Sequence, residues 1–275
     1  PAFGRDPGGD GSEESVRRKP LRNVVILMAL GLLAAVFAAW LVWNGNLIPN
    51  EIFINRNALR GVDVSHYQGE IRWERLEEQG IAFAYMKATE GSSHTDGRFA
   101  ENWAAVGETG IPAGAYHFFS FESGGETQAA HFLETVGELP AGQAILPPAV
   151  DVEFYGGNEA SPPDPQPVRA ELTAFLEAVE AEYGAKPVIY TTKEAYEYFL
   201  KGYYGEYPLW IRSILGKPDG SISWTFWQYT NRERLEGYSG TEPYIDMNVF
   251  RGDEKELTAL CISGDSPELE REDRP

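Results

Sequence analysis

Strand-like runs alternate with helix-like runs along most of the chain, and this order constrains the fold more than any other feature. Five apolar strand-like runs, each followed by a helix-like run, occupy residues 60–65, 81–88, 114–119, 145–155 and 187–191. Three more, at 208–212, 224–229 and 245–250, follow with little helix between them. Runs of this kind are typical of strands buried on both faces. The pattern predicts an α/β fold, an irregular TIM-like barrel of eight strands with about five helices, with an open α/β sheet as the alternative.

An uncharged apolar run covers residues 24–43 near the N-terminus and ends in Trp40 and Trp43. It is about as long as a helix that crosses the ~30 Å hydrocarbon core, and its aromatic end suits a membrane interface. Four cations precede it within residues 17–22, which favours a cytoplasmic N-terminus. We therefore predict a single-pass signal anchor over 23–44 in the inner (cytoplasmic) membrane, with the rest of the chain on the extracytoplasmic side. A cleaved signal peptide, which would leave a secreted protein, is the alternative, and a buried core helix is the third.

The composition of the other segments indicates where the domain boundaries lie. We expect a disordered cytoplasmic tail over 1–22, a polar linker over 45–59, the main folded domain over 60–262 and a C-terminal tail over 263–275. The net charge is −19, and the first 44 residues carry five basic and four acidic side chains, so the remainder carries about −20. Such acidity argues against nucleic acid as a partner. The single cysteine, Cys261, excludes an intrachain disulfide.

Two acids stand close together in the fourth strand-like run, in Ala149-Val-Asp151-Val-Glu153. Side chains alternate along a strand, so Asp151 and Glu153 share one face with Cα atoms roughly 6.5–7 Å apart. Each charge disfavours ionisation of the other, and one acid should therefore keep a raised pKa and act as a proton donor near neutral pH. Two unrelated acids on a solvated strand end would give the same pattern.

In barrels of this kind the functional face lies at the carboxyl ends of the strands. Acids, aromatic rings and amides lie near those ends: Asp63, Lys87, Glu90, Tyr116, His117, Asp151, Glu153, Tyr190, Trp210, Gln228, Tyr229 and Asp246. Carboxylates beside aromatic faces suit a carbohydrate ligand, although Tyr190 and Trp210 would equally fill the barrel. The four histidines have no metal-ligand spacing, so no metal site is predicted.

Six motifs come in an order that resembles glycoside hydrolase family 25, the muramidases or Chalaropsis-type lysozymes. They are Gly61-Val-Asp63-Val-Ser65-His-Tyr67-Gln68, Lys87-Ala-Thr-Glu90-Gly91, Gly114-Ala-Tyr116-His117-Phe, Ala149-Val-Asp151-Val-Glu153, Phe226-Trp227-Gln228-Tyr229 and Asp246-Met-Asn248. The resemblance covers about residues 60–252, nearly the whole predicted domain.

The resemblance implies cleavage of the β-1,4 bond between N-acetylmuramic acid and N-acetylglucosamine in peptidoglycan, without a cofactor. It assigns the proton donor to Glu153 and completes a catalytic cluster with Asp63, Asp151 and Asp246. The residues expected to bind substrate are Tyr67, Glu90, Tyr116, His117, Tyr190, Trp210, Gln228 and Tyr229. Peptidoglycan strands and, through the N-terminal helix, the membrane are the expected partners of a monomer that remodels the cell wall.

Two questions stay open at this level. The second half of the reaction is either substrate-assisted, with Asp151 orienting the substrate's acetamido group and net retention, or a direct or water-mediated attack through Asp246 or Asp63. A peptidoglycan-binding protein with little or no catalysis is the competing function, and a metal-dependent deacetylase would need a His/Asp ligand set that the sequence lacks.

Overall fold

The protein is described by a computed structural model, which covers Gly4 and residues 13–262 and, for residues 13–21, the backbone alone. The chain forms two compact units, Pro1–Leu47 and Ile48–Pro275. The predicted C-terminal tail over 263–275 lies outside the described residues. Of the predicted N-terminal tail over 1–22, residues 1–12 apart from Gly4 also lie outside them.

The first unit contains one long helix, α1 (Glu13–Trp43). Its stretch Arg22–Trp43 is apolar and long enough to cross a membrane, and a signal sequence near an N-terminus would have the same length and composition. The helix begins within the predicted tail, since residues 13–22 are helical. It ends in a hydrogen-bonded turn at Gly45, where φ is +66° and the amides of Asn46 and Leu47 donate to the Leu41 carbonyl.

The second unit is a closed barrel of eight strands, as the sequence predicted. These are β1 (Arg60–Val64), β2 (Ile81–Glu90), β4 (Ala113–Phe118), β5 (Ala149–Val152), β6 (Val188–Thr192), β7 (Leu209–Arg212), β8 (Phe226–Glu233) and β9 (Ile245–Phe250). The short β3 (His94–Thr95) pairs only with the end of β2. The parallel pairing of β1 with β2 closes the ring, which excludes the open sheet. Only β9 is antiparallel to both its neighbours, because it follows β8 through a loop instead of a crossover helix.

In the described part of the barrel unit, five α-helices each follow a strand in the first part of the chain, and a sixth follows β9, where its Leu257 packs in the barrel interior. They are α2 (Trp73–Glu78), α3 (Phe99–Val106), α4 (Gly125–Val136), α5 (Pro165–Tyr183), α6 (Lys193–Ala195), which continues as a π-helical turn (Tyr196–Leu200), and α7 (Glu254–Leu260). The first five lie where the sequence predicts helices, and α7 is additional. Local chemistry sets the ends of α5: the Asp164 side chain accepts from the Gln166 amide, Pro165 opens the first turn, and Gly184 closes the helix at φ +68°.

Two apolar layers form the core. One lies between the strands and the helices, and the other fills the barrel interior with Phe83, Tyr85, Leu146, Ala149, Val188, Tyr190, Trp210, Phe226, Phe250 and Leu257. The interior needs glycine at two inward positions. A Cβ on Gly61 would lie 2.4 Å from the Phe83 ring, and one on Gly114 would lie 2.4 Å from the Tyr85 ring. Interior packing therefore seals the lower barrel and leaves its upper end for polar side chains.

The segment predicted as a linker is mostly part of the barrel unit. Pro49–Phe53 forms a 3-10 helix. Asn50 is fully buried, and its Nδ2 donates to the carbonyls of Ser213 and Tyr229 at 2.8 Å each. Only residues 44–47 separate the end of α1 from this unit. Asn50, a polar residue of the predicted linker, is a buried hydrogen-bond donor in the barrel unit.

Candidate active site

Four carboxyl side chains meet inside the barrel at its carboxyl end. Asp63 ends the inward row of β1, and Asp151 and Glu153 lie on and just after β5. Asp246 comes from the start of β9, which runs in the opposite direction and so reaches the same end. Asp63 and Asp246 are directly paired across β1 and β9. Strand alternation thus places all four on the inner face.

Two amide side chains hold Asp63 from below. Its Oδ2 accepts from Gln228 Nε2 at 2.9 Å and from Asn248 Nδ2 at 2.7 Å. The amides are themselves oriented, since Tyr190 donates its hydroxyl to Gln228 Oε1 at 3.0 Å and Trp210 Nε1 donates to Asn248 Oδ1 at 2.7 Å. A buried network in which each amide oxygen and nitrogen is used fixes the rotamer of Asp63.

Asp63 and Asp246 form a hydrogen-bonded pair of buried acids. Burial raises the pKa of Asp246 well above its usual range, and the neighbouring Asp63 carboxylate raises it further through charge and a hydrogen bond. Burial also raises the pKa of Asp63, although hydrogen bonds from Asn248, Gln228 and Asp246 act in the opposite direction. Two buried acids this close do not both ionise readily, so the pair holds a proton above the usual range for a carboxylic acid.

Asp151 and Glu153 are the second coupled pair. Burial, followed by the charge of Glu153, raises the pKa of Asp151 well above its usual range. Burial likewise raises the pKa of Glu153, and Arg212 and Lys87 lower it. The Oδ1 atom of Asp151 is buried and has no hydrogen-bond partner among the described residues. Both carboxyl groups can therefore hold a proton above the usual range for a carboxylic acid, with the pKa of Asp151 raised further, and Asp151 Oδ1 can still pair with a bound ligand.

Two cations moderate the negative charge of the cluster. Lys87 Nζ lies 2.6 Å from Glu90 Oε2 and 4.9 Å from the centre of the Phe118 ring. Arg212 follows Trp210 on the inner face of β7 and acts on all four acids, lowering the pKa of each. Neither was predicted as a site residue, although Lys87 was noted at a strand end. The alternation that places Trp210 inside also places Arg212 there, and this was the available signal.

A cleft passes over the acids as two adjoining cavities that share Asn231 and Asp246. The first has a volume of about 340 Å³ and is lined by Asp63, Val64, Ser65, Tyr67, Gln68, Tyr116, Asn231, Arg232, Glu242, Tyr244 and Asp246. The second has a volume of about 440 Å³ and is lined by Glu153, Phe154, Glu159, Tyr190, Thr192, Glu194, Arg212, Gln228, Asn231 and Asp246. Asp63 lines the first cavity, Glu153 the second and Asp246 both, whereas Asp151 lines neither, so three of the four acids lie along one cleft long enough for a chain-like ligand.

The predicted substrate-binding residues differ in where they lie: some line the cleft, Glu90 and Trp210 lie beside or beneath it, and two face away from it. Tyr67 and Tyr116 line the first cavity, and Tyr190 and Gln228 line the second. Glu90 forms an ion pair with Lys87 at the carboxyl end of β2. Trp210 lies beneath the acids, 2% exposed and packed against Tyr85, Tyr116 and Tyr190, and so positions Asn248 instead of offering a face to a ligand.

His117 and Tyr229 face away from the cleft, contrary to their place in the predicted binding set. Both alternate with inward neighbours, Tyr116 and Gln228, and therefore point into the outer apolar layer. His117 stacks on Phe175 at 4.8 Å, and burial lowers its pKa to about 4. Tyr229 lies next to Arg60, whose Nη1 donates to the phenol oxygen at 3.3 Å. Adjacent motif residues on one strand cannot both face the same ligand.

Asn231 and Tyr244 are further cleft residues that the sequence did not single out, and the buried Asn248 lies beneath the acids. Asn248 stands in the Asp246-Met-Asn248 motif and shares the inward face with Asp246. Tyr244 is contacted by two guanidinium groups, Arg232 at 5.0 Å and Arg234 at 4.9 Å from its ring centre. The described part of the chain contains no group of three or more His, Cys, Asp or Glu side chains arranged to hold a metal ion.

Comparisons with known proteins agree with this geometry. Residues 62–238 match the family described as glycosyl hydrolases family 25. A solved structure of a family 25 glycosyl hydrolase from Bacillus anthracis superposes with a TM-score of 0.69 at 47% identity, over 75% of this chain and 94% of that one. Lysozyme M1 of Streptomyces globisporus is 33% identical over 74% of this chain and 72% of its own. The Escherichia coli O157:H7 protein described as uncharacterized protein YegX is 38% identical over 74% and 73% of the two chains. With this match across the barrel, the chain belongs to glycoside hydrolase family 25.

Proposed function

We propose that the protein is a peptidoglycan hydrolase, an N-acetylmuramidase that cleaves the β-1,4 bond between N-acetylmuramic acid and N-acetylglucosamine. The observation that carries this proposal is the pair formed by Glu153, an acid with a raised pKa, and Asp151, whose buried Oδ1 lacks a partner. A glycan in the cleft would bring both a glycosidic oxygen that needs a proton and an acetamido N–H that needs an acceptor.

In the proposed first step, Glu153 gives its proton to the glycosidic oxygen and the C1–O bond breaks. Asp151 accepts the acetamido N–H and orients the acetamido oxygen, which bonds to C1 on the opposite face. In the second step, water gives a proton to the Glu153 carboxylate as its oxygen attacks C1 and releases the acetamido group. Two inversions at C1 give net retention.

The competing attack by Asp63 or Asp246 has weaker support. A carboxylate nucleophile must be free and ionised, but Asp63 Oδ2 already accepts from Gln228 and Asn248. Burial and the neighbouring Asp63 raise the pKa of Asp246, which disfavours the ionised form that an attack on C1 needs. These two acids fit a supporting role, in which they keep negative charge beneath the positive charge that develops at C1.

The proposal places the enzyme outside the cytoplasmic membrane. The stretch Arg22–Trp43 is apolar and entirely exposed on the helix surface. We propose that it is retained as a single-pass anchor with cations on the cytoplasmic side. The barrel would then lie on the side of the cell wall and act in local remodelling of peptidoglycan. Signal cleavage and secretion is the alternative, which sizing of the mature chain from membranes distinguishes.

Digestion of purified peptidoglycan by the unit from Ile48 onward, with mass spectrometry of the products, tests the function. We expect fragments with reducing N-acetylmuramic acid, and a loss of about 10²–10⁴-fold for Glu153→Gln, because general acid catalysis contributes that much. Glu159→Gln, which neutralises an acid on the cavity wall, is the matched control and should keep most activity.

The same digest read by NMR tests the mechanism, since the first anomer formed should be β. An initial α-anomer would reject the retaining scheme. Intact glycan from parent and variant alike, with folded protein that pellets with the wall, would instead support a binding protein.

A further inference from the structure

The outer wall of the barrel beside β7 and β8 carries exposed apolar side chains. Ile52 is 81% exposed, Leu215 is 79% exposed and Phe53 is 43% exposed. Two cations, Lys217 and Arg251, lie at the edge of this surface. We call these five residues the wall patch.

The apolar side chains of the wall patch come from two segments that hydrogen bonds hold together. The buried Asn50 donates to the Ser213 carbonyl, which joins the 3-10 helix to the loop after β7. Ser213 Oγ donates to the Gly216 carbonyl at 2.8 Å, so Leu215 stands at the tip of a tight turn. Lys217 Nζ lies 4.8 Å from the centre of the Phe53 ring. The three apolar side chains are therefore held at the surface by the backbone.

A shallow cavity of about 260 Å³ adjoins the patch, and Phe53, Lys217, Trp224 and Arg251 are among the residues that line it. The Arg251 guanidinium lies 5.1 Å from the Trp224 ring centre. The acid of the 3-10 helix, Glu51, pairs with Arg60. Apolar and aromatic groups edged with cations are the composition of surfaces that lie at the headgroup level of a bilayer.

Chain connectivity limits how far this surface can be from a membrane. The amides of Asn46 and Leu47 still donate to Leu41 of α1, whereas Ile48 already packs against the core of the barrel unit. Residues 44–47 can span at most about 14 Å when fully extended, at ~3.3–3.6 Å each. If Arg22–Trp43 spans the bilayer, Asn50 and the wall around it stay near the headgroups.

We propose that the wall patch contacts the phospholipid surface of the membrane in which α1 is anchored. Ile52, Phe53 and Leu215 enter the interface, and Lys217 and Arg251 pair with lipid phosphates. This inference rests on the retained anchor of the proposed function. No residue of the patch lines either cavity at the acids. Membrane contact therefore leaves the cleft free for glycan.

The energetic balance explains why a small patch suffices. The barrel unit carries a net charge of about −20, which opposes approach to anionic lipids. A short covalent connection, however, raises the effective concentration of the patch at the bilayer to about the millimolar range. Weak intrinsic affinity is then enough for contact, and the two cations reduce the local repulsion.

Photo-labelling of the full chain in vesicles of phosphatidylethanolamine and phosphatidylglycerol tests the proposal. The probe is a phospholipid with a diazirine on its acyl chain near the glycerol, and labelled peptides are identified by mass spectrometry. We expect label on α1 and on the peptides that contain Ile52 and Leu215. The exposed Ala104 on α3 serves as the internal negative site, because α3 packs on β2, far around the barrel from β7 and β8.

The double variant Ile52→Asp/Leu215→Asp should lose the label on the barrel several-fold and keep it on α1, whereas Tyr203→Asp, at another exposed ring, should change nothing. Label confined to α1 in the parent would overturn the proposal. So would label on the patch that disappears when the protein is diluted in the bilayer, which would indicate a second copy. Glu153→Gln should be labelled like the parent, so a failed muramidase proposal stays distinguishable.

Discussion

The buried acids of the cleft are expected to lower the stability of the fold at neutral pH. Burial raises the pKa of Asp151 well above its usual range, so the folded state binds more protons than the unfolded state between the usual and the raised value. Stability is therefore greatest below the usual pKa and decreases as pH rises through that window. Lys87 and Arg212 offset this effect only in part, so the Asp151 carboxylate lowers the free energy of unfolding at neutral pH.

Asp151→Asn should separate these two effects. It removes the charge from a buried position, and we expect a gain in unfolding free energy on the order of 1 kcal/mol at about pH 7, or about 2–4 °C in Tm. The gain should shrink toward about pH 4, where the parent carboxyl is also neutral. Activity should fall at least about 100-fold. Denaturant titrations at both pH values measure this, with Glu159→Gln as control, and equal stability of Asp151→Asn and parent at neutral pH would contradict it.

His117 should make the protein sensitive to acid. It lies between Thr89 Oγ1 at 2.7 Å and Gln128 Oε1 at 3.0 Å, and burial lowers its pKa to about 4. The unfolded state takes up a proton near pH 6.5 and the folded state does not, so stability is lost as pH falls, by up to about 3 kcal/mol near pH 4.

The variant His117→Gln can keep hydrogen bonds in place without titrating. We expect it to be less stable than the parent at about pH 7 and to lose less stability on acidification, so that the gap narrows below about pH 6.5. Urea midpoints across this range measure the gap. Parallel curves for the two proteins would show that His117 is not the titrating group.

At the scale of elements, the 3-10 helix Pro49–Phe53 before β1 is expected to stabilise the barrel. Asn50 Nδ2 donates to two carbonyls, that of Ser213 just after β7 and that of Tyr229 within β8. Asn50→Ala should cost about 1–3 kcal/mol, because both carbonyls lose a buried partner. Denaturant unfolding of the unit from Ile48 measures this loss. Asn57→Ala, at an exposed position before β1, should leave stability nearly unchanged. Equal denaturant midpoints for the two variants would contradict a stabilising role of Asn50.

Strand order and the central acids could be predicted, because they depend on alternation and on local runs. The inward positions of Asp63, Asp151 and Asp246 follow from that alternation, and the eight strands are where the apolar runs lie. What the sequence did not reveal depends on distant partners. Asn50 looks like linker composition until Ser213 is beside it. His117 is a different case, because its outward position follows from the alternation after the inward Tyr116 and could have been predicted.

At the scale of the whole molecule, the barrel unit presents a strongly negative field to the substrate proposed for it. Peptidoglycan stem peptides also carry carboxylates, so the long-range interaction between the barrel unit, at about −20, and the wall is repulsive. Arg232 and Arg234 beside Tyr244 act only locally at the edge of the cleft. At low ionic strength the repulsion reaches beyond the cleft, whereas at 0.1 M salt the Debye length is only about 10 Å.

Hydrolysis of purified peptidoglycan should therefore accelerate as salt rises from about 10 mM to about 150 mM, by several-fold and through KM, since screening affects encounter more than the chemical step. Initial rates of the soluble unit across this range measure the effect. The matched substrate is the same glycan after removal of its stem peptides, for which the salt dependence should be much weaker. A rate that falls with salt on both substrates would mean that the cleft arginines, and not the net charge, govern the encounter.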